Sequence, residues 1–262
     1  MGFEYRGKVA IVTGASSGIG RAVALDLAKR GTTVVAAARR KELLEEVAET
    51  CRRTAPESSA VVVDVADRTA VERLCSETLG RHEKVDVLVN NAGIPLRKHA
   101  ARLTVEDVEQ VMQINFFGMV YATLALLPSM LEHKSGDIVN VSSVAGRIGA
   151  PRESAYSASK YAMTGWSEVL SSDLRGSGVR MHLIVPGAID TEIWRKVQEP
   201  AAYRGKFIPP QAIADAVRDV LEQDRFERWV PRKLMPVATF RAVLPGTYIK
   251  NMSRYDRRHE RS

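Results

Sequence analysis

The sequence has few cysteines and no uninterrupted run of about 18 apolar residues. Only Cys51 and Cys75 occur among 262 residues, and neither has a cysteine or histidine at metal-ligand spacing. We therefore predict reduced thiols and no metal site, and we expect no membrane-spanning helix. The first residues, MGFEYRGKVAIVTG, lack the apolar core of a signal peptide, so we expect a cytoplasmic protein.

Acidic residues are scarce near the C-terminus. Residues 232–262 carry eight lysines and arginines against Asp256 and Glu260, which gives this tail a net +6 of the chain's +7. The basic character therefore belongs to the tail and not to the whole surface. Because no nucleic-acid-binding motif accompanies this charge, we expect no nucleic-acid partner.

Apolar strand-like segments alternate with helical segments along the chain. We predict strands at Val9–Val12, Thr33–Ala38, Ala60–Val63, Val85–Val89, Asp137–Val141 and Val179–Val185, and helices at Gly18–Arg30, Lys41–Arg53, 68–82, 104–133, 154–175 and 211–223. Valine-rich strands without polar alternation are typical of strands buried on both faces. The pattern predicts an α/β fold with a doubly wound parallel β-sheet, a Rossmann fold, in a single domain over 1–231, followed by a basic, partly apolar tail over 232–262.

Three glycines lie between the first strand and the first helix. Gly14, Gly18 and Gly20 stand in TGASSGIG at 13–20 and allow a tight turn with close backbone approach. The helix that follows presents free N–H groups and its positive dipole end to a pyrophosphate. This strand–turn–helix context predicts a dinucleotide-binding site.

The end of the second strand lacks the carboxylate that an NAD site usually carries about 20 residues after the glycines. It reads Ala36-Ala37-Ala38-Arg39-Arg40. A guanidinium binds a 2′-phosphate with two hydrogen bonds, whereas a carboxylate would repel it. Arg39 and Arg40 therefore predict NADP(H), and the alternative is that both are solvated residues at a helix start.

Tyr156 and Lys160 are four residues apart, so a helix would place them on one face. An ammonium beside a phenol favours the phenolate and lowers its pKa from about 10. The pair predicts that Tyr156 donates and accepts a proton near neutral pH.

These motifs, in register over about residues 6–191, resemble those of the short-chain dehydrogenase/reductase family. The resemblance implies four catalytic residues, Asn115, Ser143, Tyr156 and Lys160; Ser143 is preferred to Ser142 because it lies 13 residues before Tyr156. The family segments Asp64-Val65, Asn90-Asn91-Ala92-Gly93 and Pro186-Gly187 are also matched. The implied cofactor contacts are Gly14, Ser16, Ser17, Gly18, Ile19, Gly20, Arg39, Arg40, Asp64, Val65, Asn91, Ala92, Gly93, Tyr156, Lys160, Pro186, Gly187, Ile189 and Thr191.

The resemblance also implies a reaction, hydride transfer between NADP(H) and a small-molecule carbonyl or secondary alcohol. Tyr156 would give its proton to the carbonyl oxygen, and Ser143 would stabilise the oxyanion. Lys160 would lower the pKa of Tyr156 and hold the nicotinamide ribose, and Asn115 would anchor a proton-relay water. The alternative is a non-catalytic NADP(H)-binding or membrane-associated regulatory protein on the same fold, and the complete set of four argues against it.

Three segments should border the substrate, Ile94–Arg102, Val144–Glu153 and 188–209, because ligands bind at the carboxyl ends of parallel strands. The basic residues of the first two, Arg97, Lys98, His99, Arg147 and Arg152, either attract an acidic substrate or are ordinary surface charges. The third contains Trp194, Tyr203 and Phe207, and we predict that it forms a lid.

The chain departs from bacterial 3-oxoacyl-carrier-protein reductases beyond residue 225 and looks more like the hydroxysteroid and retinol dehydrogenase branch, which implies a lipophilic substrate. We predict a short helix between Pro236 and Pro245 with one face formed by Leu234, Met235, Val237, Phe240, Val243 and Leu244. The tail over 232–262 either packs as a strap on the domain or a second subunit, or contacts a membrane surface peripherally. By resemblance we expect a homodimer or homotetramer formed through the helices around 104–133 and 154–175.

Overall fold

The computed structural model describes residues 3–192 and 206–259, with backbone alone for 253–259. Within these ranges seven parallel strands form one sheet in the order β3-β2-β1-β4-β5-β6-β7. The strands are β1 Val9–Thr13, β2 Thr33–Ala38, β3 Ser59–Val62, β4 Val87–Asn90, β5 Gly136–Val141, β6 Val179–Pro186 and β7 Glu227–Val230. The strand order reverses between β1 and β4, so a crevice opens there at the carboxyl ends of the strands.

The helices cover both faces of the sheet, which confirms the predicted doubly wound fold. They are α1 Gly18–Lys29, α2 Lys41–Arg52, α3 Arg68–His82, α4 Val105–Met112, α5 Gly118–Glu132, α6 Ser154–Asp173, α7 Gln211–Gln223, α8 Met235–Val243 and α9 Pro245–His259. One core holds residues of α1, α2 and α7, such as Leu27, Leu44 and Val217. The core on the opposite face holds residues of α3 and α5, such as Leu74 and Leu126.

Successive residues of β1 point into the two different cores. Ala10 and Val12 pack in the core of α1 and α7, whereas Ile11 packs in the core of α3 and α5. Side chains alternate between the faces of a strand, and here both faces are covered. Burying a valine or isoleucine contributes about 1.5–3 kcal/mol, which explains why the strand shows no polar alternation.

The helix predicted at 104–133 contains a turn that its sequence pattern did not indicate. Between α4 and α5, residues Gln113–Phe117 form a π-helical turn. This turn directs Asn115 into the protein, where its side chain is fully buried. Gly118 follows at once, and a Cβ there would lie 2.8 Å from the Val65 carbonyl oxygen. Close packing of the helix on the segment after β3 therefore requires glycine at this position.

The same continuous helix, Val105–Glu132, contains an 18-residue window of mean hydropathy 1.6, long and apolar enough by length and composition to cross a membrane. This helix is not an uninterrupted apolar run, because it contains polar residues such as Asn115 and Thr123. The window is 44% buried, and Ala122, Leu126 and Met130 pack in the core beside α3. This packing is that of a helix in the core of a globular domain.

Two further differences concern the C-terminal part. β7 was not predicted, because Glu227 and Arg228 hide a strand that is defined by its backbone pairing with β6. The short helix predicted between Pro236 and Pro245 exists as α8, with Pro236 in its first turn, whereas α9 was not predicted.

Cys51 and Cys75 are free and buried, and burial raises their pKa values to about 11 and about 12. At neutral pH both are protonated thiols.

The tail packs against the domain with a minority of its side chains. Leu234 and Ala238 contact the cluster of Leu183, Val185 and Trp229. These contacts agree with the strap alternative. The boundary between 231 and 232 stays a prediction.

Candidate active site

A cleft opens at the carboxyl ends of β1 and β4. Among the predicted cofactor contacts, its wall contains Gly14, Ser16, Ser17, Gly18, Ile19, Arg39, Arg40, Asp64, Val65, Asn91, Ala92, Gly93, Tyr156, Lys160 and Thr191. The predicted contacts Gly20, Pro186, Gly187 and Ile189 do not line it. The fold thus brings together residues that lie as much as 177 positions apart in the chain, from Gly14 to Thr191.

The glycine turn leaves no room for larger residues. Gly14 and Gly18 have φ values of +66° and +54°, in the left-handed region that favours glycine. A Cβ on Gly14 would lie 2.8 Å from the Asn91 amide nitrogen, and one on Gly20 would lie 2.3 Å from the Gly14 carbonyl oxygen. Gly20 therefore permits the close packing of α1 behind the turn, which explains why it does not line the cleft.

The start of α1 has open hydrogen-bond donors. Ser17 caps the helix without a side-chain hydrogen bond, and no acidic residue occupies the first turn. The first backbone N–H groups of such a helix attract an anion. Together with the glycine cradle, these donors fit the pyrophosphate of a dinucleotide.

The two arginines after β2 stand at one end of the cleft. Ala38 ends the strand where an acidic residue was expected in an NAD site. Arg39 lies 3.6 Å from Asp64 in a pair that is half exposed. Arg40 donates to the hydroxyls of Ser16 and Ser17 and lies 2.8 Å from Glu192. Exposed ion pairs contribute about 1 kcal/mol or less, so both guanidinium groups can exchange a carboxylate partner for a phosphate.

Sequence reasoning missed Glu192 as a wall residue, because only the fold brings it to Arg40 across 152 positions. The apolar wall residues Ile114 and Val141 were missed for the same reason, whereas Ile94 belongs to a segment that was predicted to border the substrate. Of the predicted lid, Trp194 and Tyr203 lie outside the described residues. Phe207 is described and partly exposed, and Ile189 pairs with Ile208 in a β-bridge.

Thr13 and the segment after β4 fasten the floor of the cleft. The Thr13 hydroxyl accepts hydrogen bonds from the backbone N–H groups of Asn91 (3.0 Å) and Ala92 (3.1 Å). The Asn91 amide donates to the Thr13 carbonyl oxygen at 3.0 Å. Next to it, the buried Asn90 amide donates to Asn140 on β5 at 2.9 Å. These bonds fix the glycine turn relative to the centre of the sheet.

Lys160 and Tyr156 lie on one side of α6, as their spacing predicted, and both line the cleft. The Lys160 ammonium donates to the Val141 carbonyl at 2.9 Å and lies 6.0 Å from the centre of the Tyr156 ring. Burial lowers the pKa of Lys160 to about 8. The residue is thus close to its titration point at physiological pH.

The predicted lowering of the Tyr156 pKa is wrong for the protein without cofactor. Burial raises the pKa of Tyr156 to about 12; a hydrogen bond with Ser143 opposes this shift, and the charge of Glu153 adds to it. Desolvation outweighs the ammonium because Lys160 is itself buried, bonded to a carbonyl, and several ångströms from the phenol. Tyr156 is therefore a protonated phenol at neutral pH.

The two neighbouring serines have different partners. Ser143 begins a short 3₁₀ turn, where its hydroxyl accepts from the Ala145 N–H at 3.1 Å, and it also bonds Tyr156. Ser142 instead bonds the Lys160 carbonyl at 3.3 Å and the Thr164 hydroxyl at 3.0 Å. The geometry agrees with the choice of Ser143 as the partner of Tyr156, although Ser142 lines the cleft wall.

Asn115 uses its side-chain amide for protein contacts. Its oxygen accepts from the Ile94 N–H at 2.8 Å, and its nitrogen donates to the Ile94 carbonyl at 3.1 Å and the Ser159 hydroxyl at 3.0 Å. Ser159 in turn donates to the Tyr156 carbonyl at 2.7 Å. Asn115 therefore joins the segment after β4 to α6, and its role as anchor of a relay water stays a prediction.

Three basic residues of the predicted substrate segments form ion pairs with carboxylates of the same chain. Arg97 is buried and lies 3.1 Å from Glu153. Lys98 lies 2.6 Å from Asp107, and Arg147 bonds both Glu168 and Glu227. Their charges fasten segments to each other, which favours the surface-charge alternative over attraction of an acidic substrate.

The parallel sheet, the glycine turn at its switch point and the Tyr156–Lys160 pair define a nucleotide-binding oxidoreductase of the Rossmann type. The family model of short chain dehydrogenases matches residues 8–202. The chain belongs to the short-chain dehydrogenase family, which confirms the resemblance seen in its motifs. Members of this family are oxidoreductases that act on CH–OH or carbonyl groups with a nicotinamide cofactor.

Relatives and solved structures agree with this assignment. A 3-oxoacyl-[acyl-carrier-protein] reductase of Thermotoga maritima is 33% identical over 82% of this chain and 90% of its own length. A fatty acyl-CoA reductase of Acinetobacter baylyi is 40% identical over 65% of this chain and 59% of its own length. A short-chain dehydrogenase/reductase from Burkholderia phymatum in complex with NAD superposes with a TM-score of 0.85 and 28% identity, covering 92% of this chain and 94% of that one. An alcohol dehydrogenase from the archaeon Thermococcus sibiricus, complexed with 5-hydroxy-NADP, superposes with a TM-score of 0.76 and 29% identity, covering 85% of this chain and 95% of that one.

Lys160→Met should change how the stability of the cofactor-free protein depends on pH. Folding lowers the pKa of Lys160 from 10.5 to about 8. Between these two pH values the unfolded chain therefore binds more protons than the folded chain. Wild-type stability should therefore rise with pH through this interval, whereas the variant should lack about 2 kcal/mol of this rise between about pH 7.5 and 9.5. Urea unfolding at both pH values measures the difference.

The matched control is Lys41→Met, which removes an exposed lysine at the start of α2. It should keep the wild-type pH dependence. If all three proteins show the same change with pH, Lys160 does not carry a destabilised ammonium in the fold.

Proposed function

We propose that this protein transfers hydride between NADP(H) and a carbonyl or secondary alcohol, with Tyr156 as general acid and base. The observation that carries the proposal is the common cleft, which has the glycine turn in one wall and the Tyr156 and Lys160 side chains in another. The names of the relatives, an acyl-carrier-protein reductase and an acyl-CoA reductase among them, support a carbonyl substrate.

The chain's own groups would bind the substrate oxygen and supply its proton. A bound nicotinamide would give or take the hydride. A phenol with a pKa of about 12 is protonated at neutral pH, so Tyr156 is ready to donate to a carbonyl oxygen. The Ser143 hydroxyl, already bonded to Tyr156, would donate to the same oxygen as negative charge develops on it. Reduction is favoured where NADPH is the cellular form of the cofactor.

Lys160 would bind the cofactor ribose. Its ammonium lies in the cleft wall and donates to the Val141 carbonyl and, at 4.0 Å, to the Met163 sulfur, which leaves one of its three protons for another acceptor. Asn115 would hold α6 and the segment after β4 in register for this arrangement. These roles are part of the proposal.

Tyr156→Phe should bind NADPH as the wild type does and lose turnover. The change removes the proton donor while it keeps the ring, so kcat should fall by about 10²–10⁴-fold. NADPH binding by fluorescence and consumption of NADPH with a panel of ketones and alcohols measure the two effects. Ser157→Ala, which changes a buried helix serine next to Tyr156, is the control and should retain turnover. Unchanged turnover in Tyr156→Phe would refute the catalytic role of Tyr156. A wild type that binds NADPH but turns over no compound of the panel would support the non-catalytic NADP(H)-binding alternative.

NADP(H) is proposed as the cofactor because Ala38, Arg39 and Arg40 stand where an NAD site carries an acidic residue. Solved relatives carry either cofactor, since one binds NAD and another 5-hydroxy-NADP. The choice in this chain therefore rests on the two guanidinium groups at the cleft wall. A charge-assisted bond to a 2′-phosphate contributes about 1.5–3 kcal/mol.

Arg39→Asp should reduce the preference for NADPH over NADH by about tenfold or more. The substitution removes a donor and places a negative charge where the 2′-phosphate would lie. Steady-state kcat/KM with each cofactor gives the ratio. Arg53→Asp makes the same charge change at the far end of α2 and should leave the ratio unaltered. An unchanged ratio in Arg39→Asp would remove Arg39 from the cofactor site.

We also propose a homodimer or homotetramer, because α5 and α6 carry exposed apolar residues. Phe117, Leu124 and Leu131 lie exposed on or just before α5, seven residues apart and so on one side of the helix, and Val169 lies exposed on α6. Exposed apolar groups along one side of a helix are typical of a surface that a partner covers. The helices are those that family resemblance implied for subunit contacts.

The exposed side of the tail supports two further proposals. One is a lipophilic substrate, and the other is peripheral membrane contact of a cytoplasmic protein. Six of the 13 large exposed hydrophobic residues in the described chain lie in the tail, Met235, Val237, Phe240, Val243, Leu244 and Ile249. No acidic residue occurs between 232 and 255, where Arg232, Lys233, Arg241, Lys250 and Arg254 stand. An exposed apolar face with basic neighbours fits the surface of an anionic membrane.

The pair of changes Val237→Ser and Phe240→Ser should reduce flotation with phosphatidylserine-containing vesicles by about fivefold or more. Apolar burial in the lipid interface is then lost while the basic residues remain. Val62→Ser, which changes a more exposed apolar residue on β3, is the control and should float as the wild type does. Wild-type protein that stays out of the vesicle fraction would contradict membrane contact and leave the strap alternative.

A further inference from the structure

The tail contacts the segment that connects Ser143 with α6. This segment, residues 144–153, is called the Ser143 loop below. It begins with a single 3₁₀ turn, Val144–Gly146, and contains two glycines, Gly146 and Gly149. It joins the two elements that bear Ser143 and Tyr156, so its position sets the distance between their hydroxyl groups.

Two tyrosine hydroxyls bind backbone carbonyls of the Ser143 loop. Tyr161 on α6 donates to the Arg147 carbonyl at 2.5 Å. Tyr248 on α9 donates to the Gly149 carbonyl at 2.9 Å across 99 positions of sequence. Tyr248 is buried, with 8% of its surface exposed, whereas most residues around it in the tail are exposed. A tail that served only as an appendage would have no need to bury a tyrosine against this loop.

Other tail contacts surround the same region. The Arg241 guanidinium lies 5.4 Å from the centre of the Tyr161 ring, in a cation–π contact. Ala238 packs in the cluster that contains Val144, the residue after Ser143. Leu234 lies against Gly187, where a Cβ would come within 2.8 Å of the Leu234 methyl group. The tail therefore touches the start and the middle of the Ser143 loop and the end of β6.

We propose that Tyr248 is a positioning residue: its hydroxyl, delivered by the C-terminal tail, holds the Ser143 loop in place for catalysis. The proposal rests on the proposed function for its effect on the reaction. Tyr248 is absent from the lining of the cleft and acts through the loop, not on the substrate. The tail is then part of the active-site framework, in addition to any role of its outer face.

The Ser143 loop has further hydrogen bonds on either side of Gly149. Within its first half, the backbone N–H groups of Arg147 and Ile148 bond the Val144 carbonyl. In its second half, the Glu153 N–H bonds the Ala150 carbonyl, the Arg97 guanidinium donates to the Pro151 carbonyl at 3.1 Å, and the Lys98 N–H bonds the Arg152 carbonyl at 2.7 Å. Between these points the Tyr248 hydroxyl bonds Gly149, a residue without a side chain that could anchor it. Loss of one hydrogen bond there should increase opening of the loop by about 3- to 10-fold.

Tyr248→Phe tests the proposal because it removes the hydroxyl and keeps the buried ring. Tyr5→Phe is the matched control, since Tyr5 has the same 8% exposure and its hydroxyl bonds Glu222 on α7. Tyr161→Phe is the positive control, because it removes the other hydroxyl that binds the Ser143 loop. All variants are made in the full chain and compared by thermal unfolding.

The first measurement is hydrogen–deuterium exchange of peptides that cover 144–153. In Tyr248→Phe and Tyr161→Phe these amides should exchange about 3- to 10-fold faster than in the wild type, and in Tyr5→Phe they should not change. Unchanged exchange in Tyr248→Phe, with faster exchange in Tyr161→Phe, would overturn the proposal. This readout requires neither cofactor nor substrate.

The second measurement is steady-state reduction of 2-decanone with NADPH. In Tyr248→Phe, kcat/KM for the ketone should fall about 3- to 10-fold while the KM for NADPH stays within about twofold, a split that general destabilisation would not give. Faster exchange with unaltered ketone kinetics would overturn the catalytic part of the proposal. Faster exchange in Tyr248→Phe, with a wild type that reduces no carbonyl compound, would contradict the proposed function and leave the positioning of the loop intact.

Discussion

The hydrogen bonds between Thr13 and the segment after β4 are the constraint on which the cleft depends. Thr13 ends β1 and Asn91 follows β4, the two strands between which the order of the sheet reverses. Their bonds hold the glycine turn over the crevice, and Gly14 and Gly20 permit an approach that any Cβ would block. The open N–H groups of α1 and the side chains of α6 can face one site only because this junction is fixed.

The reactive side of the cleft is controlled by burial more than by charge. Lys160 and Tyr156 are both removed from solvent, and burial favours the uncharged form of each side chain. The pKa of the lysine therefore falls and that of the tyrosine rises. A protonated phenol beside a serine hydroxyl is suited to give a proton to a carbonyl oxygen.

The substrate side of the cleft is held by internal ion pairs and by the tail. Arg97 and Glu153 are both largely buried, so their pairing joins the segment after β4 to the start of α6. Arg147 bonds Glu168 and Glu227 and so connects the Ser143 loop with α6 and β7.

Local spacing was enough to predict the fold, the glycine turn and the family motifs from buried strands, helical periodicity and the 13 residues between Ser143 and Tyr156. Helix ends were predicted to within a few residues, whereas β7, with its charged residues, and α9 were not predicted. The pKa of Tyr156, the partners of Arg97 and the bond from Tyr248 to Gly149 could be read only from the folded chain. These depend on desolvation and on groups 56 and 99 positions away, which no local pattern contains.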